Sequence, residues 1–172
     1  MQQLFSALPD VTYFIHDNTG WDIGGYVALA KEIHDDFMLC VGSTGFFTRA
    51  GWLERMVDMW RKHGPGLYGS LATFEITPHL NTSGFWCEPG LLALYPKKVL
   101  TKTHRYEFEH GKSAFWKIVT ARGVNVMLAT WDGEYEWRQW RLPPNIYLRG
   151  DQSNCLTQFR ISYLYEIGRA HV

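Results

Sequence analysis

The chain has no excess of either charge, no paired cysteine pattern, no long apolar run and no internal repeat, and each absence excludes a class of protein. Lys plus Arg (17) equals Asp plus Glu (17) in 172 residues. There is therefore no electrostatic footprint for nucleic acid or an anionic membrane surface. Cys40, Cys87 and Cys155 are odd in number and widely spaced, which fits neither a disulfide framework nor a zinc knuckle, so they read as reduced, mostly buried thiols. Apolar runs such as 37–41 and 90–94 fall far short of the ~20 residues that span a bilayer. No charged-then-apolar leader opens the sequence, and a soluble, cytoplasmic protein is expected. What is present is a hydrophobic content of 46%, enough for one domain with a real core. Aromatics reach 16%, with eight Trp. A flat ring face packs on a pyranose as well as in a core, so this richness leaves room for a sugar-handling cleft.

The order of elements predicts an α/β fold. Residues 11–15 are β-formers that stop at His16-Asp17-Asn18, as a strand running into a loop would. A turn-rich stretch leads to a short helix over 26–33, then to a continuous apolar strand over 37–41 ending at Gly42-Ser43-Thr44-Gly45. That spacing predicts a βαβ unit with parallel strands. Residues 50–62 form an amphipathic helix, with Leu53, Met56, Val57 and Trp60 on one face and Glu54, Asp58 and Arg61 on the other, stopped by Gly64-Pro65-Gly66. Further strands are expected over 67–74 and 124–130, and further helices over 89–94 and 112–122, the last with Gly123 as its C-cap. Residues 132–154, polar, aromatic and interrupted by proline, read as loops around a cleft. In open α/β sheets ligands sit outside the carboxyl ends of the strands. Three polar strand ends, His16-Asp17-Asn18, Gly42-Ser43-Thr44-Gly45 and Asp132-Gly133-Glu134, are expected to line one crevice.

Three segments carry a family resemblance. Asn18-Thr19-Gly20-Trp21-Asp22-Ile23-Gly24-Gly25-Tyr26 resembles the N-x-G-x-D-x-G-x-Y stretch after the third strand of GT-A glycosyltransferases, notably rhamnan-synthesis-type and related family-two-like enzymes. His79-Leu80-Asn81-Thr82-Ser83-Gly84-Phe85-Trp86 is similar to their H-x-x-T/S-x-G-F segment, which lines the sugar and acceptor pocket. Arg105-Tyr106-Glu107-Phe108-Glu109-His110-Gly111, followed by the helix over 112–122, resembles the segment whose acidic residue just before a helix is the base of inverting enzymes. The resemblance covers 11–154 and implies a Rossmann-like GT-A open mixed sheet flanked by helices, truncated at both ends. It implies transfer of a sugar from a nucleotide-diphosphate donor to a glycan or other acceptor hydroxyl, in polysaccharide or glycan synthesis of bacterial type. Asn18, Asp22, Gly24, Ser43 and Thr44 would then bind the donor. His79, Asn81, Thr82, Trp86 and Trp131 would surround the sugar and acceptor, and Glu109, with Glu107 as alternate, would be the catalytic base.

Each residue also has a plainer use. Asp22 at a helix start can simply cap backbone N–H groups, His79 can be a structural hydrogen-bonder, and Glu109 can be held by a helix-start dipole. The family carries an acidic motif after the strand corresponding to 37–41, where it binds a divalent Mn or Mg. This chain departs from it with Gly42-Ser43-Thr44, whose hydroxyls are neutral donors. Asp132 and Glu134 are the alternative metal-binding carboxylates, and Asp35-Asp36 reads as solvated charge at a helix exit. Trp131, Trp137 and Trp140 offer an acceptor platform, with at least one expected in the core. Arg149-Gly150-Asp151 is a chance match to an adhesion tripeptide. The rival reading is a non-catalytic carbohydrate- or nucleotide-sugar-binding module of the same fold; a pyrophosphorylase-like enzyme is disfavoured because no glycine-rich basic loop is visible. Residues 166–172, EIGRAHV, resemble the translation of a sequencing adapter, so one partial domain over 1–165 with a non-native tail is expected.

Overall fold

The structure is a computed structural model that describes residues 12–35, 37–74, 76–146 and 150–159. In chain order its elements are α1 (Trp21–Leu29), β1 (Met38–Val41), β2 (Gly45–Phe47), α2 (Trp52–His63), β3 (Gly66–Gly69), β4 (Ala72–Thr73), β5 (His79–Leu80), β6 (Gly84–Cys87), α3 (Pro89–Ala93), α4 (Lys102–His110), α5 (Phe115–Ala121), β7 (Asn125–Ala129), β8 (Glu134–Glu136), a single 3-10 turn (Trp137–Gln139) and β9 (Thr157–Phe159). Five strands form a mixed sheet in the order β1-β6-β3-β7-β8. The mixed α/β class expected of the sequence is present.

Strand alternation divides the core into two. Leu67, Phe85, Cys87, Val126 and Leu128 face one cluster with Ile23, Val27, Leu92, Phe108 and Phe115 from α1, α3, α4 and α5. Their neighbours Tyr68, Trp86 and Met127 face the other, against Met56 and Met59 of α2. A period of two on β3, β6 and β7 thus places helices on both faces. Burying each methionine fully, as at 56 and 59, stabilises the fold by roughly 1.5–3 kcal/mol. The three cysteines are free and buried, and burial pushes their thiols above the ordinary range, in keeping with inert packing residues.

Four expectations need correction. Residues 12–18 form no strand; Tyr13, Phe14 and Ile15 are exposed, Val11 lies outside the described residues, and the neighbour of β1 is β6, antiparallel. The βαβ unit is therefore absent among the described residues, and the parallel pair is instead β3 with β7. The first helix begins at Trp21, five positions early, because Gly20 at φ 77° turns the chain into it. Residues 102–110 are helical, capped by Thr101 Oγ1 accepting from His104 N at 3.2 Å, so the next helix starts only at Phe115. Finally, 132–154 is not all loop: β7 and β8 pair as a hairpin through a turn in which Thr130 N donates to Gly133 O at 2.9 Å. The chain end, including 166–172, lies outside the described residues.

The pairing directions fix the edge that matters. β1 is antiparallel to β6, β6 to β3, and β3 is parallel to β7. β1, β3 and β7 therefore end at one edge of the sheet, where β6 and β8 begin. Gly42-Ser43-Thr44, Ser83 and Thr130-Trp131-Asp132 all fall there.

Candidate functional site

At this edge the turn from Asn81 to Gly84 is the junction. The Asn81 Oδ1 accepts from Ser83 N at 2.9 Å, closing the turn from within. Ser83 O accepts from Gly42 N at 2.9 Å, which ties the turn to the end of β1. On that side stands Asp22: a Cβ built on Gly42 would lie 3.3 Å from both Asp22 Oδ2 and Ser83 Cβ. Glycine at 42 therefore lets the first turn of α1 bring a carboxylate against the end of β1. Asp22 caps nothing, since the N-cap is Gly20 with no side-chain bond, and a carboxylate in the first turn is favoured by the helix dipole. Ser43 and Thr44, in the tight turn closed by Gly45 N to Gly42 O at 2.8 Å, follow Gly42 and are exposed.

On the other side stands Glu109. Thr82 Oγ1 donates to Glu109 Oε1, and Arg105 lies 3.8 Å from the same oxygen, one helical turn back. The Glu109 side chain is only 13% exposed. It faces a cavity of ≈ 20 Å³ whose other walls are Leu67, Leu80, Phe85, Phe108, Phe115 and Trp116 beside Thr82, room for about one water. Glu109 sits in the last turn of α4, not before a helix, so a helix-start dipole does not act on it. Next to it, His79 is buried with Nδ1 2.8 Å from Thr77 O, and its ring meets His110 edge-on at 4.0 Å. Burial lowers the His110 pKa, with Lys117 adding to this and Glu109 opposing it.

The structure thus gathers Asp22, Ser43, Thr44, Asn81, Thr82, His79 and Glu109 around one turn. The remaining residues have other surroundings. Asn18, at φ 64°, offers its carbonyl to Trp21 N at 3.1 Å and shapes the approach to α1. Gly24 is buried, and a Cβ there would collide with the Thr19 carbonyl; its lack of a side chain serves helix-to-turn contact, not ligand approach. Trp86 is fully buried on β6, stacked on Tyr68 at 5.7 Å, and lines no sugar pocket. Glu107 points to Lys97 at 2.8 Å, whose hydrogen bond lowers its pKa first and whose charge adds to this.

Trp131 belongs to the far end of the edge, its Nε1 donating to Cys155 O at 2.9 Å with Arg49 5.2 Å over the ring. Asp132 Oδ1 accepts from Thr130 Oγ1 at 2.6 Å and Asn154 Nδ2 at 2.9 Å, and its pKa is lowered chiefly by those two bonds. Glu134 accepts from Arg55 at 2.7 Å, Lys62 at 2.8 Å and His63 at 2.6 Å. Burial alone would raise its pKa, but the bonds from His63, Lys62 and Arg55 outweigh it and hold it down to about 2.

Sequence reasoning missed Arg105 as the partner of Glu109, although the i, i+4 spacing is readable once 102–110 is seen as a helix. It also missed His110, for which the contact with His79 leaves no local signal. Among the described residues no group of three or more His, Cys, Asp or Glu is gathered as metal ligands are, and no helix is long and apolar enough to cross a membrane. The chain matches no protein-family model, no curated protein and no solved structure.

Proposed function

We propose that the edge around the 81–84 turn binds a nucleotide-diphosphate sugar and transfers the sugar to an acceptor hydroxyl, in a GT-A-like domain. The observation that carries this reading is the pair of carboxylates flanking one turn: Asp22 against Gly42, the residue that leads into the exposed Ser43 and Thr44, and Glu109 beside Thr82. Asp22 and the two hydroxyls suit the ribose, sugar or phosphate oxygens of a donor. Glu109 suits the acceptor. In an inverting transfer the acceptor oxygen attacks the anomeric carbon as the bond to the diphosphate breaks, and its proton passes to a carboxylate within hydrogen-bond reach. The cavity at Glu109 admits one hydroxyl-sized group and no sugar ring, so the acceptor would present a single hydroxyl at its mouth. His110, the next residue of α4, packs edge-on against His79.

Asp22 with Ser43 and Thr44 offers hard oxygen donors, which fit a Mg or Mn ion arriving with the donor's own phosphates. Such a cation would supply the charge that neutral hydroxyls cannot. The test is calorimetric titration of nucleotide-diphosphate sugars into the protein, with and without manganese. Saturable binding weakened tenfold or more by Asp22→Asn supports the reading, and binding indifferent to that substitution opposes it. One observation favours the non-catalytic binding module as a second reading: Gly42-Ser43-Thr44 stands where the family carries its metal-binding acids. Tight donor binding without any turnover would select it.

A further inference from the structure

At the opposite edge of the sheet, where β7 begins and β8 ends, lies a groove of ≈ 240 Å³ lined by Thr120, residues 123–127, Glu136 and Trp137. We infer that this groove is a second saccharide-binding subsite, taking a neutral sugar ring on the indole of Trp137. It is independent of the transferase reading, because no residue of the 81–84 turn lines the groove.

Three features select this ligand class. The first is the ring. Trp137 is 42% exposed on a 3-10 turn, an apolar surface left in water beside a concavity, where a flat indole stacks on the C–H face of a pyranose. The Arg138 guanidinium stands over the Trp137 ring, 5.1 Å from its centroid; Arg138 is exposed and lies outside the groove lining, so a stacking sugar takes that face by displacing a solvated side chain. Trp116, 6.3 Å away and tilted by 40°, braces the ring from within.

The second feature is the polar rim. Asn125 is exposed; its Nδ2 donates to His63 O at 2.8 Å, which leaves its carbonyl oxygen to accept. Glu136 caps the 3-10 turn with its side chain and retains acceptor capacity, since a carboxylate has about four lone-pair sites. Gly123, at φ 72° and with nothing within 4 Å of where a Cβ would stand, keeps the backbone open to an incoming group. Acceptors placed beside an aromatic face are what sugar hydroxyls need. The third feature is charge: the lining has one carboxylate and no cation, which disfavours phosphates and uronates. The volume, below the ~300–1,000 Å³ of clefts for drug-sized ligands, suits one or two rings.

The test uses the full chain labelled with ¹⁵N and the indole N–H resonances of its tryptophans, with the Trp137 signal assigned from its loss in Trp137→Phe. Neutral hexamers of glucose, galactose and N-acetylglucosamine, and a polyuronate hexamer, are titrated in turn. At least one neutral hexamer should shift the Trp137 signal saturably, with Kd on the order of 1 mM. Trp137→Ala should weaken that binding at least tenfold, Asn125→Ala severalfold, and Asp22→Asn not at all, while the polyuronate binds more weakly than its neutral counterpart. Absence of any shift with all three neutral hexamers overturns the subsite, as does binding that survives Trp137→Ala in a protein with unchanged circular dichroism, or preference for the polyuronate.

Discussion

The two ends of the same sheet edge treat their carboxylates in opposite ways. At the β7–β8 end, Glu134 takes hydrogen bonds from Arg55, Lys62 and His63, and Asp132 takes them from Thr130 and Asn154. At the β1 end, the Asp22 carboxylate stands against Gly42 with no hydrogen bond or ion pair among the described residues, and Glu109 has one hydroxyl and a more distant guanidinium. A carboxylate whose acceptor sites are filled by its own protein is scaffold. One that keeps capacity next to exposed hydroxyls is available to a ligand. Both ends are polar loops at strand termini in the sequence, so position alone does not separate them; partner count does.

The largest expected effect would collapse the open end altogether. Gly24→Ala places a methyl group into the Thr19 carbonyl, a backbone clash that should cost about 3 kcal/mol or more. Chemical denaturation should show it as a lower midpoint with an unchanged slope.

Next comes the filled end. Glu134→Ala leaves Arg55 and His63, both half-buried, without their shared acceptor, and should destabilise by roughly 2–3 kcal/mol. The pH dependence has a definite sign. The folded pKa of Glu134 lies at about 2, below its ordinary 4.5, so its contribution is complete above about pH 4.5 and is lost as pH falls towards 2. Thermal melts of the parent from pH 6 to 2.5 should show that loss, and Glu134→Ala should flatten it.

Asp22→Asn sharpens the contrast from the other side. It loses only a first-turn interaction with the helix dipole, about 0.3–1 kcal/mol, so melting should shift little, while affinity for a nucleotide-diphosphate sugar should fall tenfold or more, about 1.4 kcal/mol. Glu107→Gln is expected to do least: it removes an exposed pair with Lys97, and neither melting nor donor binding should move.

How much of this is legible in the sequence depends on whether a signal is local. The helix α2 is, because Met56 and Trp60 repeat at its period and Gly64 stops it. The strands β1 and β7 are, as short apolar runs ending in polar turns. Residues 12–15 mislead because β-forming composition makes no strand without a partner, and Ile15 is 82% exposed. The β7–β8 hairpin is hidden although Asp132-Gly133 is a strong hairpin turn signal; the prolines further on make the whole stretch read as loop.

In the site, the 79–86 segment does contain one polar turn, but Trp86 belongs to the strand after it, where side chains alternate between faces. Glu109 stands out in the sequence for preceding a helix and in fact ends one. Its contact with Thr82 spans 27 residues, and no local pattern encodes that.

The central claim is that Glu109 takes the acceptor proton. Turnover of nucleotide-diphosphate sugars by the parent and by Glu109→Gln, followed as release of the nucleoside diphosphate, tests it most directly. The account predicts a fall of about 10²–10⁴-fold in kcat with donor affinity and melting temperature unchanged. Turnover that survives the substitution would contradict it.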